Sequence, residues 1–328
     1  MKSVLSKLKN IRPKSGQGLD REDVVIGFRL LLGREPESDE AIQAHISLGS
    51  IENLGDALMA SQEFRSKYFQ AQFSESKWVA SQVLDQYLMW VDLHDRYVSN
   101  GCLNNNWEPD ETTFFISRLH TGDTVLDIGA NIGWFTLVAA KHIGPAGTIH
   151  AFEPRPITYS MLSKTVSQNG LRNFVHLWEY ALSDSAGEVI LNWAANTDNP
   201  GGSFVTTDKT GQAGHESVRV RAAKLDELLP DVAPDVIKID VEGAEPMVFS
   251  GAVNALGRRK PIILSELFPN QLLKVSGKTS AQYIQQMKDY GYSCYLLEGG
   301  KPTQHLKDFP QSAAKELVSC VFEWQGVR

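Results

Sequence analysis

The stretch VLDIGANIGWFTLVAA, residues 125–140, decides the fold of this 328-residue chain. An apolar run ends in Asp127, a turn containing Gly129, Asn131 and Gly133 follows, and a second apolar run has helical spacing. Glycines in such a turn let the backbone bend sharply and approach a ligand, because no side chain intervenes. The stretch therefore predicts a buried strand, a ligand-binding turn and a helix, which together open a Rossmann-like α/β sheet.

Short β-branched runs separated by helical stretches continue to the carboxyl end, a pattern typical of a parallel sheet covered by helices. The seven predicted strands span residues 124–130, 148–154, 174–182, 235–241, 261–267, 293–298 and 318–324. We expect the last two to form an antiparallel pair, because Gly299, Gly300 and Pro302 permit a chain reversal. Two further β-prone runs, VILNWAA and VRVRAA, flank a long polar loop at residues 196–215.

The segments before this sheet predict separate units. Residues 1–20 are basic and predict a flexible tail, residues 21–70 carry apolar side chains at helical spacing, and the aromatic-rich residues 71–110 predict a helical connector to a domain at 111–328. The motif LGREP, residues 32–36, resembles that of a small helical domain of unassigned function that accompanies bacterial surface-glycan enzymes. This helical domain is therefore a candidate surface for a protein partner.

Composition excludes several classes of protein. A net charge of −7 is unfavourable for a broad grip on nucleic-acid phosphates, which is driven by Lys and Arg. The three cysteines lie far apart, which indicates neither a zinc site nor a disulfide framework and favours a reducing cytoplasm. No stretch has the length of a transmembrane helix or the pattern of a signal peptide, so we expect a cytoplasmic protein, with a peripheral position at the inner membrane face as a secondary expectation.

The position of Glu153 indicates an adenosine-containing cofactor. Glu153 ends the second predicted strand, twenty residues after Gly133, where a carboxylate can accept both hydrogen bonds of a ribose diol. A dinucleotide needs a GxGxxG spacing for its pyrophosphate, whereas this turn reads GxNxG. S-adenosylmethionine has no phosphate, and Asp127 is a candidate partner for its ammonium group. The sequence thus predicts S-adenosylmethionine, with a nicotinamide cofactor or a purely structural turn as the alternatives.

Four motifs then carry a family resemblance. DIGANIGWFT (127–136), AFEP (151–154), ALSD (181–184) and KIDVEGAE (238–245) follow one another as in the FkbM-type methyltransferases, which residues 105–325 resemble. The resemblance implies a class I methyltransferase fold, S-adenosylmethionine as the donor, and transfer to a hydroxyl oxygen of a glycan or a secondary metabolite. Together, the turn and the resemblance give a predicted cofactor site of Asp127, Gly129, Asn131, Gly133, Glu153, Ala181, Leu182 and Asp184, with Asp184 near the adenine.

The acceptor side should lie beside the cofactor at the carboxyl ends of the strands. An alcohol has a very high pKa and benefits from a positioned base or a metal, and the candidates are Asp240, Glu242 and His215. Glu266 is a candidate acceptor ligand. Asp240, Glu242 and Glu266 could together hold Mg²⁺, but no His-rich or tightly spaced ligand set supports a metal, so none is predicted.

Three structural alternatives accompany these assignments. Asp240 could cap the following turn, and Glu242 or Glu245 could complement the amino terminus of the next helix, a role expected for Glu245. Lys238 could pair with Asp240 or with the neighbouring strand. A lone loop histidine such as His215 is more often solvated than catalytic. For the whole chain, the alternative to an O-methyltransferase is a catalytically silent module of the same fold in a glycan-assembly complex.

Overall fold

The computed structural model describes residues 18–61, 63, 64, 73, 75–194, 202–206, 214–306 and 317–326. The chain divides into two compact units, Met1–Glu75 and Ser76–Arg328. Nearly all of the predicted flexible tail at 1–20 lies outside the described residues. Within them, no helix combines the length and apolar character needed to cross a membrane.

The first unit is helical, as its spacing predicts. It contains α1 (Arg21–Gly27), a π-helical continuation at Phe28–Leu32, α2 (Asp39–Ile46) and α3 (Ile51–Ala60). At the start of each α-helix, the side-chain oxygen of the preceding residue accepts a hydrogen bond from a backbone N–H of the first turn. These preceding residues are Asp20, Ser38 and Ser50. Their apolar faces form a core of their own, which contains Val24, Phe28, Leu31, Leu32, Ile42, Leu54 and Leu58.

The second unit is built on fourteen described strands. These are β1 (Trp78–Val83), β2 (Tyr87–Asp92), β3 (Thr124–Ile128), β4 (Thr148–Phe152), β5 (Val175–Trp178), β6 (Ala181–Leu182), β7 (Gly187–Ala194), β8 (Phe204–Thr206), β9 (His215–Ala223), β10 (Val236–Ile239), β11 (Ile262–Leu267), β12 (Tyr292–Glu298), β13 (Lys301–Leu306) and β14 (Val318–Trp324). Its described helices are α4 (Val98–Leu103), α5 (Pro109–Arg118), α6 (Trp134–Ile143), α7 (Pro156–Gln168), α8 (Leu225–Leu228), α9 (Glu245–Ser250), α10 (Val253–Arg259), α11 (Pro269–Val275) and α12 (Ser280–Asp289).

The main sheet has the order β13-β12-β14-β11-β10-β3-β4-β5. Strands β11, β10, β3, β4 and β5 are parallel, and β14 lies antiparallel between β11 and β12. This confirms the predicted α/β class and the antiparallel last pair. The sheet has eight strands rather than seven, because the reversal at Gly299 and Gly300 leads into the additional edge strand β13.

Both faces of this sheet are buried. Val125 and Val236 pack into one core cluster, and their neighbours Leu126 and Ile237 pack into another on the opposite face. A strand covered on both faces reads as a continuous apolar run, which is why β3 and β10 stand out in the sequence.

A second, smaller sheet follows the third strand of the parallel set. The predicted strand 174–182 is split, since β5 ends at Trp178 and Ala181–Leu182 joins a four-stranded sheet in the order β6-β9-β7-β8. The β-prone runs form its long antiparallel pair, β7 and β9. This sheet stands at the carboxyl end of β5 and supplies side chains to the cavity described below.

The prediction of a helical connector at 71–110 is wrong for Trp78–Asp92. Strands β1 and β2 form an antiparallel hairpin, and the helices α4 and α5 follow within the same compact unit as the main sheet. Tyr87, Met89 and Val91 are buried in its core, whereas Leu88 is 39% exposed. Because the outward side chains of this hairpin strand are also apolar, its two-residue period is hidden in the sequence.

Truncating Met89 tests whether the hairpin is an integral part of the second unit. Met89→Ala is expected to lower the free energy of unfolding by about 2–5 kcal/mol, because it removes a fully buried side chain. Leu88→Ala, one residue away on the exposed face, is the matched control and should change it by less than about 0.5 kcal/mol. Urea denaturation of both variants measures the difference, and equal losses would contradict the hairpin's orientation.

Candidate functional site

The glycine turn after β3 is pressed against the end of β10. Gly129 has a φ of +81°, and a Cβ atom there would lie 1.9 Å from the carbonyl oxygen of Asp240. The N–H groups of Gly129 and Ala130 both donate to the carbonyl oxygen of Phe152, at 3.0 and 2.9 Å. Only glycine satisfies this contact and this backbone conformation together, so the turn joins the ends of three strands at one point.

Glu153 fixes the turn from the neighbouring strand. Its Oε2 accepts a hydrogen bond from the Asn131 N–H at 3.0 Å, and its Oε1 accepts one from the Arg155 N–H at 2.8 Å. Burial raises the pKa of Glu153 to about 7, and these two N–H donors act against that rise. Each oxygen keeps a free lone pair, so the carboxylate can still accept hydrogen bonds from a ligand.

A cavity that is open to solvent lies beside this turn, and its space, open solvent included, is about 690 Å³. Its walls come from the ends of β3, β4 and β10 and from the smaller sheet, which contributes Leu191, Ser203 and Val205. Of the residues predicted to bind a cofactor or to react, those on the cavity wall are Gly129, Asn131, Glu153, Ala181, Leu182, Asp240 and Glu242. The structure thus brings most of the predicted site residues into one cavity.

Three predicted cofactor residues lie off the described wall. Asp127 is 1% exposed and accepts a hydrogen bond from the Thr136 hydroxyl at 2.5 Å, and burial raises its pKa to about 6. Gly133, with a φ of +101°, caps α6 and faces Leu162. Asp184 is exposed and accepts a hydrogen bond from the Ser185 hydroxyl. Asp127 and Gly133 therefore support the turn and its helix without lining the cavity.

The segment after β10 forms a tight turn rather than a continued strand. Strand β10 ends at Ile239, and Glu242 has a φ of +51°, so Asp240 and Glu242 do not share a strand face as the sequence suggested. They meet in the cavity because the backbone turns between them. Glu245 begins α9, where the sequence placed it, but its Oε1 accepts the N–H groups of Val241 and Gly243, so it holds the turn before the helix.

Glu242 has the properties of a proton acceptor. Burial, the neighbouring charge of Asp240 and that of Glu245 raise its pKa to about 8, while a hydrogen bond from the Gln271 side chain opposes the rise. Because Glu242 also lines the cavity, its carboxyl group is placed to exchange a proton with a bound molecule near neutral pH.

A charge cluster lies at the carboxyl ends of β10 and β11, and it includes a residue that the sequence did not indicate. Lys238 is only 3% exposed, and its Nζ lies 3.5 Å from Asp240 Oδ2, 3.6 Å from Glu108 Oε2 and 3.8 Å from Glu266 Oε1. The pairing of Lys238 with Asp240 is confirmed. Glu242 is not a member, so Asp240, Glu242 and Glu266, the carboxylates that the sequence analysis considered together, do not form one cluster.

The sequence did not indicate Glu108 as a site residue, because nothing in its chain segment predicts contact with the sheet. It precedes Pro109 at the start of α5, far from the strand motifs, and has a φ of +41°. Burial raises its pKa to about 7, although Lys238 opposes the rise.

Of two further side chains, Arg155 lines the cavity and His215 does not. Arg155 lines the cavity and stacks on the Trp193 ring at 4.2 Å, a contact whose only sequence signal is its position just after AFEP. His215 is the first residue of β9 rather than a loop residue, and it packs edge-on against Phe204 at 5.5 Å. It is not on the described wall of the cavity.

Comparison with known proteins is consistent with this arrangement. The chain is 32% identical to the methyltransferase sdnD of Sordaria araneosa over 165 residues, covering 42% of this chain and 62% of that protein. It is 28% identical to the hexuronic acid methyltransferase AglP of Haloferax volcanii over 152 residues, covering 45% and 58%. It is 41% identical to the 31-O-demethyl-FK506 methyltransferase FkbM of Streptomyces tacrolimicus over 71 residues, covering 21% and 26%.

The chain thus matches less than two thirds of the length of each of these relatives. The family model of the methyltransferase FkbM domain matches residues 127–294, which contain the glycine turn, Glu153 and the turn after β10. Because this match covers half of the chain, the protein belongs to the FkbM-domain family of methyltransferases.

Proposed function

We propose that this protein transfers a methyl group from S-adenosylmethionine to a hydroxyl oxygen of a sugar in a surface glycan or of a secondary metabolite. The observation that carries the proposal is the carboxylate of Glu153 beside a GxNxG turn, at the wall of this cavity. A carboxylate at the end of the second parallel strand can accept two hydrogen bonds from a ribose diol.

The charge of the cavity suits this cofactor. Glu153, Asp240 and Glu242 line it together with Arg155, so carboxylates outnumber the basic side chain. S-adenosylmethionine carries a sulfonium, an ammonium and a carboxylate, and such walls favour a net positive ligand. A pyrophosphate would face three carboxyl groups with Arg155 as the single basic side chain on the described wall, so the same arrangement disfavours a dinucleotide.

The relatives support the acceptor class. The name of AglP specifies a hexuronic acid, and that of FkbM specifies the 31-oxygen of demethyl-FK506. We extend an acceptor of this kind, a hydroxyl oxygen of a sugar or of a secondary metabolite, to this chain.

When bound, the cofactor would supply a methyl group whose carbon accepts the oxygen, with the thioether sulfur as the leaving group. The chain's own task is to hold that oxygen about 3 Å from the methyl carbon and to remove its proton. Glu242 is the proton acceptor, since it lines the cavity and its raised pKa of about 8 matches the task. Asp240, fixed by Lys238 at 3.5 Å, orients the hydroxyl group.

Removal of the Glu153 carboxylate tests the cofactor assignment. Glu153→Ala is expected to weaken S-adenosylmethionine binding at least about 100-fold, because each hydrogen bond to a charged group contributes about 1.5–3 kcal/mol. Isothermal titration calorimetry measures the dissociation constants, with thermal melting to verify that the variant is folded.

Glu188→Ala is the control for that experiment. Glu188 is exposed on β7, where it pairs with Arg219 at 3.7 Å, and its removal should leave the affinity unchanged. If the wild-type protein fails to bind S-adenosylmethionine at all, the enzymatic proposal is refuted and a silent module of the same fold is favoured.

The pH dependence of transfer tests Glu242. A carboxyl group with a raised pKa is neutral below that pKa and a base above it, so kcat/KM should increase as the pH passes through about 8. Glu242→Gln should lower kcat at least about 100-fold and abolish this increase, because the amide cannot accept the proton. The assay follows S-adenosylhomocysteine release with a methyl glycoside acceptor.

Glu227→Gln is the matched control, since Glu227 is exposed on α8 and pairs with Lys224. Its profile should coincide with that of the wild type. An unchanged rate and pH profile in Glu242→Gln would show that another group removes the proton.

A further inference from the structure

The charge cluster of Lys238, Glu108, Asp240 and Glu266 has the shape of a cation site. One oxygen from each of the three carboxylates lies within 4.8 Å of the other two. Mg²⁺ and Ca²⁺ bind oxygen ligands at about 2.0–2.6 Å, so two ligands of one ion are at most about 4–5 Å apart. The spacing of the three oxygens is therefore that of ligands around a single cation.

An ammonium group already stands among these oxygens. The Nζ atom of Lys238 lies 3.5–3.8 Å from an oxygen of each carboxylate. The same Nζ lies 4.9 Å from the centre of the Phe135 ring, whose face favours a cation. A metal ion bound to the same oxygens would sit within a few ångströms of a second positive charge at a buried place, where repulsion is weakly screened.

We infer that Lys238 is a built-in cation that replaces a divalent metal in this protein and holds Glu108, Asp240 and Glu266 in one cluster, of which Asp240 reaches the cavity wall. Burial alone would disfavour the charge on Lys238, but the carboxylates of Glu108, Asp240 and Glu266 outweigh it, so the pKa of Lys238 is raised and the ammonium stays charged. Asp240 belongs to both the cluster and the cavity wall, and it connects the fixed cation to the reacting region.

One carboxylate oxygen of the cluster, on Glu108, makes no hydrogen bond among the described residues. Its Oε2 is buried and has no hydrogen-bond partner among the described residues, because Lys238 Nζ at 3.6 Å is too far for one. Glu108 lies before residues 127–294, the part of the chain that the family model matches.

Metal binding without cofactor or acceptor tests the inference. At pH 8, electron paramagnetic resonance titration with Mn²⁺ should give isotherms for the wild type and Glu108→Gln that coincide, because the wild-type cluster excludes the ion. Lys238→Ala should gain one Mn²⁺ site at least tenfold tighter than any wild-type site. The double variant Lys238→Ala/Glu108→Gln should lose that site again.

Lys238→Arg is the matched control, since it keeps the positive charge and should gain no Mn²⁺ site. Loss of the ammonium leaves three carboxylates close together, so Lys238→Ala requires a folding check by circular dichroism. If it is unfolded in metal-free buffer, millimolar Mn²⁺ should restore its melting transition, because an ion that binds only the folded state stabilises it. Failure to bind or to be restored would overturn the inference, as would a wild-type Mn²⁺ site that Glu108→Gln removes.

A second readout rests on the proposed function. Transfer by the wild type should be insensitive to excess EDTA, whereas Lys238→Ala should lose at least tenfold in kcat and Lys238→Arg should retain more activity than Lys238→Ala. Because the Mn²⁺ titration needs neither donor nor acceptor, a failed transfer reaction with intact metal exclusion refutes the proposed function alone. Inhibition of the wild type by EDTA would overturn the role of Lys238.

Discussion

The contact between Gly129 and the carbonyl oxygen of Asp240 is the constraint on which the site depends. It holds the turn after β3 against the end of β10, while the N–H groups of Gly129 and Ala130 tie the same turn to the end of β4. Any side chain at this position would push the strand ends apart. The carboxylates that follow β4 and β10 therefore meet in one cavity because a glycine lets the strand ends approach.

Burial of several carboxylates at this edge has an energetic cost that the surrounding groups offset. Backbone N–H donors offset it for Glu153 and Glu245, and the Lys238 ammonium offsets it for Glu108 and Asp240. Such arrangements cluster at functional sites, where a proton must be exchanged near neutral pH. Local polarity around each carboxylate thus divides their tasks, with Glu153 facing the donor and Glu242 the acceptor in the proposed reaction.

Much of this architecture was predictable from the sequence, because the parallel strands are buried on both faces and leave continuous apolar runs. The Gly129 turn and Glu153 are local features with fixed spacings, so they could be assigned in advance, whereas the partner of Lys238 was left open between Asp240 and the neighbouring strand. The hairpin at Trp78–Asp92 could not, since its outward residues are apolar too. Glu108 could not either, because its place in the cluster depends on tertiary packing between segments far apart in the chain.

The smaller sheet, too, could be predicted only in part from the sequence. Its strands β7 and β9 were visible as β-prone runs, but the sequence did not indicate that Leu191, Ser203 and Val205 would line the same cavity as Glu153. Part of the cavity wall therefore comes from outside the main sheet, at a position that only the folded chain reveals. For this reason the glycine turn and Glu153 were easier to predict than the rest of the cavity wall.

A crystal structure of the protein with S-adenosylhomocysteine tests the central claim most directly. We predict the nucleoside in the cavity beside Gly129, with both ribose hydroxyl groups within hydrogen-bond distance of the Glu153 carboxylate. Crystals grown at saturating ligand with an empty cavity, or with the nucleoside bound away from Glu153, would contradict it.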